Sequence, residues 1–193
     1  MYFWKEIKIG DGRVNVLLGK DPELGSFPHE SPIVDFDGKY DPFFNEGIEL
    51  IGNYIENKID EKVGFFDYYN KFFEIQMHYM LLWSIIERFG ALKYGKSSIN
   101  QNNKELAKEK LFKKHLKLIG REEDFIYTTD DLEEKELNKN NNIKSIKYYY
   151  TIRCNISHRG KTMKHMDKIR LRESLKELYG IFSIILEYSF KED

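Results

Sequence analysis

Residues 79–86, Tyr-Met-Leu-Leu-Trp-Ser-Ile-Ile, are apolar nearly all the way round a helix. A surface helix keeps one polar face, so a segment like this needs neighbours on several sides. It lies within a stretch from about Phe65 to Phe89 whose spacing predicts one long helix, closed by Gly90. The flanking segments supply the partners. Phe44, Ile48, Ile51, Ile55 and Ile59 repeat at helical steps after Asp41-Pro42, a helix-start signal. Asn102–Ile119 gathers Ala107, Leu111, Phe112, Leu116, Leu118 and Ile119 on one broad face, with lysines opposite and Gly120 as its end. A fourth helix is predicted from about Lys144 to Ser157. A fifth starts near Asp167 with the stripe Leu171, Leu175, Leu178, Phe182, Ile185 and Ser189. The fold class that follows is all-α, an up-and-down bundle of four to five helices over residues 43–193.

Residues 1–42 read differently. Tyr2–Ile9 and Arg13–Leu18 flank Gly10-Asp11-Gly12, a hairpin signal, because Asp-Gly tolerates the positive φ of tight turns. Trp4 and Phe3 are expected to pack that hairpin onto the bundle. Pro22, Pro28 and Pro32 then mark a loop. This segment is a small β-hairpin-like appendage. Residues 121–142, acidic and then Asn/Lys-rich, show no periodicity and read as a mobile surface loop.

At 193 residues, one domain with an appendage is expected. The single cysteine, Cys154, excludes an intrachain disulfide framework and a multi-cysteine zinc site. The start of the chain lacks the basic-then-apolar pattern of a secretory signal. The most apolar runs, Met77–Ile86 and Ile181–Phe190, fall short of the ~20 residues of a membrane span. A cytoplasmic protein with no membrane partner is expected.

The formal net charge of -1 argues against a polyanion partner only until it is resolved along the chain. Residues 139–172 carry 10 basic and 1 acidic group, net +9, directly after the acidic 122–138, net -7. Such asymmetry points to a polyanion.

That basic stretch contains Tyr148-Tyr-Tyr-Thr-Ile-Arg-Cys-Asn-Ile-Ser-His-Arg-Gly-Lys161. Arg153 and His158 enclose four residues, Asn155 and Ser157 among them. The pattern resembles the R-x(4–6)-H signature of the HEPN superfamily, in its RiboL-PSP and ApeA-like forms. There the motif closes the penultimate helix of a compact helical bundle, as the expected fourth helix does here. Trp83-Ser-Ile-Ile-Glu87-Arg looks like part of a central helix of the same group. The resemblance spans about residues 43–190, with its specific part in about a dozen residues. It implies a homodimer whose composite cleft cleaves RNA without a metal or other cofactor. It further implies a toxin, defence or RNA-processing setting, with an antitoxin or nucleotidyltransferase as candidate partner.

The residue chemistry is compatible with that. A histidine of pKa ~6.5 exchanges protons near neutral pH. An arginine is permanently charged and its planar fork fits phosphate oxygens. Arg153 and His158 are the candidate catalytic residues, supported by Asn155 and Ser157. Lys147, Arg159, Lys161 and Lys164 are candidate phosphate contacts, and Tyr148–Tyr150 candidate base stackers. On a continuous helix, five residues turn ~500°, which leaves Arg153 and His158 ~140° apart. They converge if the helix ends between them, with Gly160 closing it, or if a second chain completes the site. Active members of the family carry a polar residue directly after the arginine. Here Cys154 stands there and Asn155 follows. That departure supports an alternative: a non-catalytic dimeric interaction or nucleotide-binding module. The blander expectations are that Cys154 is a small buried hydrophobe, Glu87 a buried partner for an arginine, His165 a surface residue and the lysines of 104–117 a solvated face.

Overall fold

The long central helix forms as its apolar run demands, but it extends beyond the expected end. In the computed structural model of the chain, α2 spans Tyr68–Tyr94 and Gly95, at φ 58°, is its left-handed cap. Gly90 is interior and buried because a Cβ there would stand 3.0 Å from the Cβ of Asn102. The glycine serves a close approach between helices rather than a helix end. Replacing Gly90 with valine is expected to cost about 1–3 kcal/mol by overpacking that contact, read as a lower urea midpoint. A midpoint equal to wild type would show that Asn102 yields freely.

The structure describes residues 2–9, 12–20, 41–61, 64, 67–128, 132–159 and 165–189, with backbone alone for 2–20 and for residues 158, 159, 165 and 166. The chain divides into two compact units, Met1–Asp41 and Pro42–Asp193. The first holds an antiparallel hairpin, β1 (Tyr2–Ile9) with β2 (Gly12–Lys20), paired from Ile9 opposite Gly12 to Tyr2 opposite Lys20 with a register shift between Phe3 and Trp4. The side chains of Phe3 and Trp4 lie outside the described residues.

Most described residues of the second unit are helical. The chain enters through a π turn, Phe43–Gly47, with the Gly47 N–H donating to the Pro42 carbonyl at 2.9 Å. Pro42, not Asp41, stands at the cap position. Helix α1 (Ile48–Asn57) follows and buries Ile51. The single helix expected over Asn102–Ile119 is two, α3 (Ile99–Lys108) and α4 (Lys110–Leu116), separated by the extended Glu109. The Glu109 carboxylate takes a hydrogen bond from Tyr94 Oη at 2.9 Å and lies 3.1 Å from Lys93 Nζ. That pins the break against the end of α2. Leu118 consequently falls beyond α4 and is 70% exposed. The lysines between 104 and 117 are exposed as expected.

Residues 121–142 are not a loop. They form the hairpin β3 (Glu123–Tyr127) and β4 (Glu134–Asn138), with Leu137 fully buried. Helices α5 (Asn142–Arg159) and α6 (His165–Ser189) complete the unit. Tyr79, Trp83, Tyr148, Tyr149, Leu175 and Phe182 are at most 1% exposed and form the middle of the core. Helix α2 packs on α3, α5 and α6, so its all-round apolarity is used as expected.

A buried polar network fastens the second hairpin to these helices. Arg121 donates to Glu177 through Nε at 3.2 Å and Nη2 at 2.5 Å, to Asp124 at 3.0 Å, to Tyr148 Oη at 3.1 Å and to Ser174 at 2.9 Å. Asp124 also accepts from Tyr148 Oη at 2.6 Å and from Arg170 at 2.8 and 3.0 Å. Tyr149 Oη donates to Glu177 at 2.9 Å. Both carboxylates and both guanidiniums thus answer one another, the condition under which buried charges are tolerated.

Candidate active site

Helix α5 carries the motif and remains helical through Arg159. It does not end between Arg153 and His158, so those positions stand ~140° apart around one axis. Convergence within one chain, the first of the two routes considered, is removed by this geometry. Residue 160, assigned the closing role, lies outside the described residues, as do Lys161 and Lys164. The side chains of His158 and Arg159 are likewise outside them.

Arg153 is 24% exposed and faces Glu87 of α2, Nη2 to Oε1 at 3.3 Å. The contact is an ion pair without an aligned hydrogen bond, since neither Glu87 Oε1 nor Arg153 Nε has a hydrogen-bond partner among the described residues. The guanidinium also stands 5.7 Å from the ring centre of Tyr150. A guanidinium offers five N–H donors, so most of this fork's capacity is uncommitted. Tyr150 in turn packs edge-on to Trp83 at 5.2 Å. Glu87 therefore proves to be the arginine's partner that its place at the end of an apolar run suggested.

Burial pushes the Glu87 carboxyl up, and the pull of Arg153 only partly offsets it. Desolvation outweighs pairing, so the ionised carboxylate is a net cost to the fold. A group raised on folding stabilises below its unfolded pKa, about 4.3, and loses that contribution as pH rises through its folded value. Glu87→Gln is therefore expected to melt higher than wild type near pH ~7, the gap closing towards pH ~4. Thermal unfolding at both pH values measures it, and a lower melting point for the variant near neutrality would contradict it.

The remaining candidates separate. Ser157 lies one turn beyond Arg153, donating to its carbonyl at 3.1 Å and lying 3.7 Å from Met80 Sδ. Asn155 points elsewhere: it is 5% exposed and its Nδ2 donates to the Tyr127 carbonyl at 2.9 Å, so it ties α5 to the second hairpin. Lys147 is exposed on α5, two turns before the arginine, against α3. Tyr148 and Tyr149 are core residues whose hydroxyls serve the Arg121 network, which leaves Tyr150 as the half-buried member of the three. Cys154 is half-buried rather than buried. Among the described residues no cluster of His, Cys, Asp and Glu could hold a metal, and no helix is long and apolar enough to cross a membrane.

On the face that bears Glu87, α2 presents an apolar stripe nearer its start. Tyr69, Phe73 and Met77 are 62%, 60% and 52% exposed, and their spacing continues through Met80 and Ser84 to Glu87 on one helix face. The chain matches no known family model, and no curated protein or solved structure matches it.

Proposed function

We propose that the chain is an endoribonuclease of HEPN type that acts as a homodimer, with its helices arranged as an up-and-down bundle. The observation that carries this reading is Arg153: a partly exposed guanidinium with uncommitted donors, five residues before a histidine at the end of the penultimate helix α5. The continuity of α5 is what calls for a second copy, because one chain keeps Arg153 and His158 on different sides of the helix. An isologous contact repeats each residue across the two-fold axis. The exposed stripe Tyr69–Phe73–Met77, on the face of α2 that also bears Glu87, offers the apolar surface for such a contact.

The chemistry assigned to the site balances. The ribose 2′-oxygen attacks the adjacent phosphorus, the bond from phosphorus to the 5′-oxygen breaks, and a 2′,3′-cyclic phosphate remains. One His158 takes the proton of the 2′-hydroxyl, and the other delivers a proton to the departing 5′-oxygen. Arg153 holds the phosphate oxygens as their charge grows, a role suited to its fixed charge and planar fork. RNA incubated with the protein in chelator tests this: the wild type is expected to cut it, and His158→Ala is not.

Two observations favour the alternative, a dimeric interaction or nucleotide-binding module without cleavage. Cys154 occupies the position after the arginine, and Asn155, the nearest polar residue, is spent on the hairpin. Intact RNA in the same assay, with binding retained, would support that reading.

A further inference from the structure

A cavity of about 320 Å³ opens between α3, β4 and α5, within the volume range of small-ligand sites. One wall is Asn103 and Lys104 of α3, another Lys147, Tyr150 and Thr151 of α5, and Lys135 of β4 closes the side. No carboxylate lines it. Lys135 pairs with Glu133 outside the lining, whereas Lys104 and Lys147 have no ion-pair partner among the described residues. Asn103 is 5% exposed, and its Nδ2 is a buried donor with no partner. A buried amide left unmatched is costly and calls for an explanation. The walls are held together from below, where Asn142 donates to the Ala107 carbonyl.

The cavity and the candidate active site share Tyr150 of α5. Lys147, Tyr150 and Arg153 recur every third residue and each step turns the helix by about 60°, so Tyr150 lies between Lys147 on the cavity side and Arg153 beside Glu87. Lys147 and Arg153 are about 9 Å apart along the axis. Tyr150 is shared: it lines the cavity and its ring lies under Arg153. A row of cation, aromatic ring and cation is how single-stranded nucleic acid is bound, phosphates to the charges and a base to the ring.

We propose that this cavity is the subsite for the nucleotide next to the cleaved phosphate of a single-stranded RNA. Lys104, Lys135 and Lys147 hold its phosphate, and Tyr150 supports its base. The assignment rests on the reading of Arg153 as the contact to the cleaved phosphate.

Binding of a short fluorescein-labelled single-stranded RNA, followed by anisotropy on a His158→Ala background, tests the subsite independently of cleavage. Lys147→Glu and Lys104→Glu are each expected to weaken binding about tenfold and to flatten the dependence of log Kd on log salt by about 0.7. Lys117→Glu, at the exposed C-terminal cap of α4 and outside the cavity lining, serves as the control for overall charge. Binding within roughly twofold of the parent for both cavity variants, or an equal loss in Lys117→Glu, overturns the proposal. Adenosine monophosphate that binds as tightly as the oligonucleotide also overturns it, because the cavity is then a free-nucleotide site. If the full chain leaves RNA intact while the expected binding pattern holds, cleavage fails and the subsite stands.

Discussion

Arg121→Ala is expected to destabilise the chain by about 3–5 kcal/mol, a large part of the 5–15 kcal/mol typical of a domain. The reason is asymmetric. The wild-type network matches two guanidiniums to two carboxylates, and its net contribution over an apolar replacement is small. Removing Arg121 alone strands Glu177, whose side chain is 9% exposed, and takes one partner from Asp124. Burial already pushes Glu177 up despite Arg121 and Tyr149. Without the arginine it protonates or draws in water, and the β3–β4 hairpin keeps its direct tie to α6 through Asp124 and Arg170. Arg121→Lys is expected to restore little, because an ammonium cannot serve Glu177, Asp124 and Ser174 from one plane. Urea unfolding at neutral pH measures both variants, and a loss below about 1 kcal/mol in Arg121→Ala would refute the account.

Asp124 supplies the acid limb of the same argument. Burial raises its carboxyl, but hydrogen bonds from Arg170 and Tyr148 outweigh that and hold it below the ordinary range. Its contribution is complete above the unfolded value, about 3.9, and is lost as pH falls through the lower folded value. Glu177 acts with the opposite sign, favouring the fold while protonated and losing that as pH rises through its raised value. Within this network the loss of stability in strong acid is therefore assigned to Asp124 rather than Glu177.

The second large effect concerns the site. His158→Ala and Arg153→Ala are each expected to lower RNA cleavage about 10²–10⁴-fold, the range for removing a general acid–base group or a donor to a developing oxyanion. Arg153→Ala also leaves Glu87 half-buried with no cation beside it, so a fold defect could mimic a chemical one. The pair Arg153→Ala with Glu87→Gln removes that charge. It is expected to regain stability but not activity. Recovered cleavage in this double variant would show that Arg153 acts by neutralising Glu87 rather than by meeting a phosphate.

The long helices were legible because each carries its own apolar stripe, whereas the break at Glu109 that divides Asn102–Ile119 into α3 and α4 was not. The run around Trp83 announced a helix surrounded on all sides, and Leu171–Phe182 announced the face of α6. The second hairpin was not legible. Its inward positions include Asp124, so the alternation that marks a half-buried strand is missing, and what buries Asp124 is Arg170 on a helix forty-six residues later. Gly90 was misplaced for a related reason: glycine after an apolar run signals a cap, and only the closeness of Asn102 shows a packing role. At the site, Arg153 with Glu87 could be read from the end of an apolar run, while the diversion of Asn155 to Tyr127 could not, being a contact across 28 positions. Lys147 carried a sequence signal, its charge, but the buried amide of Asn103 across the cavity carried none.

The central claim is that Arg153 and His158 cleave RNA through the 2′-hydroxyl. The most direct measurement is the chemistry of the ends left on a single-stranded RNA by the purified chain in chelator, with His158→Ala and Arg153→Ala alongside. The account predicts 2′,3′-cyclic phosphates and free 5′-hydroxyls from the wild type, and neither from the variants. Uncut RNA, 5′-phosphate ends, or equal cutting by all three proteins would contradict it.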